Sequence, residues 1–141
     1  MNKNKTIYIS AAAAIILVVV LIILFTNTTG DTLQSNRKSA DIKLLVGDWV
    51  RTDASYLIKI IKVNEDGTLE AQYFNPKPIN VGSATWEERH GSLTITVELR
   101  DENYPGSTYT LSYLPDRDAF AGDYFQAVQG LNFYVEFVRN K

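Results

Sequence analysis

Residues 92–100 read Ser-Leu-Thr-Ile-Thr-Val-Glu-Leu-Arg. Leu93, Ile95, Val97 and Leu99 alternate with Thr94, Thr96, Glu98 and Arg100, a period of two that puts the apolar set on one face and the polar set on the other. That pattern predicts an antiparallel strand with one face buried and one wet. Working outward, the same period recurs in Tyr109, Leu111 and Tyr113 against Thr108, Thr110 and Ser112, and in Phe133, Val135 and Phe137 against Tyr134 and Glu136. Less regular strands are read at 47–52, 56–63, 68–74, 83–89 and 119–127. Tight connectors at 64–67, His90-Gly91 and 115–118 are rich in Asn, Asp, Gly and Pro, as antiparallel neighbours need. The expected fold over 41–141 is all-β: an eight-stranded antiparallel up-and-down meander or small barrel. Outside the apolar segment near the N-terminus, helical character is confined to a single turn about 41–46. Closure of the sheet would remove edge strands that invite aggregation.

N-terminal to this region the composition changes abruptly. Residues 7–25, IYISAAAAIILVVVLIILF, carry no charge, and thirteen of the nineteen are Leu, Ile, Val or Phe. As a helix the segment would cover about 28 Å, close to the hydrocarbon thickness of a bilayer. Those thirteen residues favour insertion by roughly 4–8 kcal/mol. Lys3 and Lys5 precede it, so the positive-inside rule predicts an N-in, C-out single-pass anchor in the cytoplasmic membrane. Residues 1–6 are then cytoplasmic, 26–40 form a polar tether, and 41–141 lie in the periplasm or outside the cell. A cleaved signal peptide is the alternative; its apolar core is shorter and ends at an A-x-A site, where this run leads into Thr26-Asn27-Thr28-Thr29.

The chain has 14 Lys+Arg against 16 Asp+Glu; without Lys3 and Lys5, the exported part has 12 against 16. That balance argues against nucleic acid as a partner, because such affinity rests on neutralising phosphates. There is no cysteine, which excludes disulfides, thiolate chemistry and a lipidated cysteine. No cofactor or metal is expected.

The single histidine, His90, sits beside Gly91 in a predicted turn, where solvation is the ordinary fate. Consecutive Glu87 and Glu88 point to opposite faces of a strand, and Asp101 and Glu102, with Asp123 more distant, read as solvated carboxylates. None of the Gly-Ser steps has the strand-to-helix setting of a nucleophile elbow. The expected activity is therefore non-enzymatic binding of a small ligand or an envelope protein. A structural accessory subunit whose 7–25 helix contacts partner helices is the alternative, and a hydrolase of envelope components comes third.

In a meander, alternate connections gather at one end. The longer ones, 53–55, 75–82, 101–106 and 128–131, are expected opposite the tight turns, and binding surfaces favour such loops. The candidate ligand or partner contacts are Asn75, Lys77, Asn80, Arg100, Asp101, Asn103, Tyr104 and Gln129. The aromatic residues Tyr73, Trp86, Tyr109, Tyr113, Phe120, Tyr124, Phe133 and Phe137 are expected to fill the interior and leave at most a shallow mouth.

Leu45-Val-Gly47-Asp-Trp49 at the first strand and Phe137-Val-Arg139 at the last resemble the lipocalin-like (calycin) pattern, in which a G-x-W lies against an Arg near the barrel's end. The resemblance implies a structural cation–π pair of Trp49 and Arg139. The chain departs from true lipocalins in its short predicted strands and in lacking their helix. The runs at 73–79 (YFNPKPI) and 98–113 (ELRDENYPGSTYTLSY) are also similar to small exported bacterial proteins of unassigned function, which implies no activity.

Overall fold

The computed structural model describes residues 41–141. The anchor expected at 7–25 and the tether at 26–40 lie outside the described residues; among the described residues no helix is long and apolar enough to cross a membrane.

Nine strands follow one another: β1 (Gly47–Arg51), β2 (Leu57–Val63), β3 (Leu69–Asn75), β4 (Lys77–Ile79), β5 (Val81–Arg89), β6 (Ser92–Asp101), β7 (Tyr104–Leu114), β8 (Ala119–Gln126) and β9 (Leu131–Arg139). They make one antiparallel sheet in the order β4-β3-β2-β1-β9-β8-β7-β6-β5. The meander closes where the two chain ends of the barrel meet, with Trp49 opposite Arg139 and Arg51 opposite Phe137. It nearly closes a second time between β3 and β5, through the Thr68–Thr85 bridge and a 2.8 Å bond from the Trp86 amide to the Gly67 carbonyl. The result is a nearly closed barrel.

The ninth strand is the departure from the eight expected. Residues 75–82 are not a long loop: the chain reverses at Asn75-Pro76-Lys77 and pairs Phe74 with Pro78 as β4. Proline lacks the ladder N–H, so it is tolerated because β4 ends the sheet order. The 101–106 loop also contracts. β6 and β7 run on to leave Glu102-Asn103 as the turn, with a register shift between Leu99 and Arg100.

The inward faces are those the alternation assigns. Trp49, Ile58, Tyr73, Ile95, Leu99, Tyr109, Phe120 and Phe137 are essentially inaccessible to solvent, and Trp86, Tyr113 and Tyr124 nearly so. Phe133 differs: it is 42% exposed, because β9 there has run beyond β1, which pairs with it over Trp49–Arg51.

One end of the barrel is plugged. A helical turn at 41–43 continues through bonds from Leu44, Leu45 and Val46 to the carbonyls three residues back, and drops Ile42 and Leu45 into the core. Trp49 Nε1 donates to the Leu45 carbonyl at 3.0 Å. The Arg139 guanidinium carbon lies 4.2 Å from the Trp49 ring centroid, and Arg139 donates to Asp118 and to the Leu44 and Val46 carbonyls at 2.6–2.9 Å. This explains the glycine of the G-x-W run. Gly47 has φ +148°, and a Cβ there would collide with Arg139 Nη1.

Candidate ligand-binding mouth

At the other end, the connections β1–β2, β3–β4, β6–β7 and β8–β9 surround an open cavity of about 480 Å³. That volume is within the range of small-molecule sites, about 300–1,000 Å³. Its walls combine residues near the ends of β1, β3, β7, β8 and β9 with the β1–β2 loop and the β6–β7 turn. β1 supplies Arg51, two residues on from Trp49 and so on the same face. Tyr56 precedes β2, Tyr73 and Asn75 end β3, and Asn103 and Tyr104 form the β6–β7 corner. Tyr124 and Gln126 end β8, and Phe133 faces them from β9.

Arg51 is the charge of the site. Its Nε and Nη2 donate to the two carboxylate oxygens of Asp53 at 2.6 and 3.0 Å, and its Cζ sits 5.3 and 6.0 Å from the Tyr56 and Tyr124 ring centroids. Burial alone would lower the Arg51 pKa, but the Asp53 hydrogen bond and the nearby Tyr109 raise it overall, so the cation is permanent. The same bond holds the Asp53 carboxyl below its usual range. Arg51 and Asp53 cancel, and the remaining lining residues are uncharged.

The floor is a chain of phenols. Tyr73 and Tyr109 share a 2.9 Å hydroxyl contact, and Tyr109 stacks on Tyr124 with centroids 4.4 Å apart. Burial pushes the Tyr109 hydroxyl up to about 12 and raises those of Tyr73 and Tyr124 as well. These groups are therefore neutral hydrogen-bonding hydroxyls near pH 7. Asn75 Nδ2 donates to Tyr104 Oη, tying the β3–β4 corner to β7. Ser107 Oγ accepts from the Ala127 amide at 3.1 Å and anchors the β8–β9 turn.

Of the residues singled out from sequence, Asn75, Asn103 and Tyr104 line the cavity. Lys77 and Asn80 are exposed and outside the cavity's lining, and Gln129 is exposed in the β8–β9 turn. Arg100 lies along the outer surface, paired with Glu98 at 2.6 Å and packed where a Cβ on Gly82 would stand. Asp101 accepts from the Asn80 amide at 3.1 Å and the Glu102 amide at 2.8 Å, which holds the corner together and keeps its carboxyl low. Sequence reasoning missed Arg51, Asp53, Tyr56, Gln126 and the mouth position of Phe133. The signal was present in Arg51: a charged residue in phase with Trp49 on an inward face needs a polar cavity or a partner.

His90 is exposed in the β5–β6 turn, with φ +52°, at the plugged end. Among the described residues no three His, Cys, Asp or Glu side chains are grouped to hold a metal ion. Comparison with protein-family models, curated proteins and solved structures found no match.

Proposed function

We propose that the chain is a membrane-anchored, extracytoplasmic binding module of lipocalin-like build, and that it takes its ligand at the open mouth without transforming it. The observation that carries this reading is the asymmetry of the barrel. Ile42, Leu45, Trp49 and Arg139 seal one end, while the other holds a 480 Å³ cavity lined by polar groups and by one Arg–Asp pair. The apolar run at 7–25 supports the anchor. Burial-raised phenols and an exposed turn histidine supply no acid–base pair in the cavity, which favours binding over catalysis.

The test uses the full chain in its native membrane with photo-crosslinking residues placed singly at Asn103 and at His90. Adducts at Asn103 and none at His90 are the expected outcome. Equal labelling at both ends, or labelling of His90 alone, would remove the mouth as the functional site.

The accessory-subunit reading is favoured by one observation: Phe125 and Tyr134 on the outer face of β8 and β9, and Val128 and Leu131 on their lip, are exposed apolar residues. It predicts that Phe125→Asp with Tyr134→Asp dissociates the chain from a membrane complex while leaving ligand capture at the mouth intact.

A further inference from the structure

We propose that the ligand of the mouth is a neutral saccharide, an inference that rests on the binding reading above and names its chemistry. Three observations converge. The cavity carries no net charge, because the Arg51 guanidinium is matched by Asp53. A strongly anionic or cationic ligand would leave one member of that pair uncompensated. A sugar hydroxyl instead donates to the carboxylate while accepting from the guanidinium, and vicinal hydroxyls match the donor and acceptor atoms set side by side in such a pair.

The primary amides of Asn103 and Gln126 repeat that arrangement on two other sides of the opening. Each offers an N–H donor and a carbonyl acceptor, the complement of a ring of hydroxyls, and Asn103 lies exposed in its turn.

Phe133 supplies the third element. It is 42% exposed, faces inward across from Tyr124 with ring centroids 6.4 Å apart, and lies where β9 has passed the end of β1. An aromatic face left open beside polar hydrogen-bonding groups offers apolar area to the C–H face of a pyranose while the hydroxyl edges turn to the amides and the ion pair. A fatty chain would desolvate those same groups without replacing their hydrogen bonds, which is unfavourable.

Asp53 gives the test a sign. Its side chain is 61% exposed on the β1–β2 loop. For a neutral saccharide Asp53 is a hydrogen-bond partner, and removing it weakens binding. For a carboxylate ligand Asp53 is the competitor for Arg51, and removing it tightens binding. The full-length chain in lipid nanodiscs is titrated with maltotriose, N-acetylated chitotriose and mannotriose, and separately with laurate, by calorimetry. Saturable binding of at least one trisaccharide is expected, weakened about tenfold or more by Phe133→Ala and by Asp53→Ala, and within twofold of wild type in Lys77→Ala. Laurate binding that Asp53→Ala tightens and Phe133→Ala weakens, with no trisaccharide bound, would overturn the saccharide and leave the mouth as the site. Binding of any probe that ignores the mouth substitutions, or no binding by all four, would overturn both.

Discussion

Arg139 shows how one side chain can hold the end of a barrel. Its Nε and Nη2 embrace the Asp118 carboxylate, its Nη1 and Nη2 take the Val46 and Leu44 carbonyls, and its plane covers Trp49. A lysine has three donors at one point and no plane, so it cannot meet partners in the turns before β1 and β8 and stack at once. Arg139→Lys is expected to cost about 1–3 kcal/mol, the loss of two or more net hydrogen bonds, read as a lower urea midpoint at unchanged m. The ion pair itself is partly exposed and contributes a minor share.

Asp118 adds a pH dependence whose sign is fixed. The Arg139 hydrogen bond holds its folded-state pKa below the ordinary value. A depressed carboxyl contributes stability that is full above the unfolded value, about 3.9, and is lost as pH falls through the lower folded value. Asp118→Asn removes that dependence and keeps a residue that tolerates the φ of +46° found there. Its thermal midpoint is expected to fall less steeply than that of wild type as pH drops below 4. A steeper fall in the variant would refute the coupling.

Among the elements, β4 and the bend that follows it set the barrel's weakest seam. The chain pairs with β3 through Tyr73–Ile79, then crosses at Asn80, whose carbonyl takes the Arg100 amide at 2.8 Å, and joins β6 from Val81 onward. The β3–β5 side carries the Thr68–Thr85 bridge, the Trp86 amide bond and a 2.7 Å bond from Trp86 Nε1 to the Asn64 carbonyl, and above them a cleft of about 310 Å³ lies against Ala71, Gln72 and Val81. β6, β7 and β8 by contrast pair over seven or more residues on each shared edge. Hydrogen exchange is expected to be fastest in Lys77–Ile79 and at Val81, and slowest at Ile95, Val97, Tyr109 and Leu111. Protection in β4 equal to that in β7 would mean the seam is no weak point.

The same elements show what the sequence could disclose. Alternation in β6, β7 and β9 was legible because each has one dry and one wet face, and the two-residue period then fixes orientation residue by residue. β4 was not legible, since a three-residue strand with a central proline carries no period and exists because β3 offers it an edge. The mouth was half legible. Connection parity puts the corner residues Asn75, Asn103 and Tyr104 at one end, but Lys77, Arg100 and Asp101 stay outside the lining, Arg100 on Glu98 and Asp101 holding the corner, and no periodicity marks where a strand stops. Arg51 and Asp53 were hidden differently. Their meaning comes from the Tyr124 ring that β8 brings against Arg51, a contact far apart in sequence.

At the scale of the whole molecule the barrel depends on joining its two chain ends. β1 and β9 are some ninety residues apart, yet Trp49 pairs with Arg139, and the Asn140 amide donates to the Asp48 carbonyl at 2.8 Å. Every other pairing in the sheet order links strands that are neighbours in the chain. Loop-closure entropy makes this pairing the costly step, and it has to be repaid by the core that it completes. Trp49 packs edge to face on Phe120, whose strand partner across β9 is Phe137, and all three are closed to solvent. Removing residues 137–141 takes away Phe137, Arg139 and the register of β1 together, and the truncated chain is expected to lose its cooperative unfolding transition and its near-ultraviolet dichroism. Mutational damage of that size could reflect lost burial alone, which a circular permutant separates. Joining Lys141 to Asp41 by a short glycine–serine linker and opening the chain between His90 and Gly91, in an exposed turn at the sealed end, keeps every core residue and makes the β1–β9 pairing local. If closure of the ends limits folding, the permutant refolds faster than the unpermuted 41–141 chain at similar stability. Refolding at the same rate or slower would place the limiting step elsewhere in the meander.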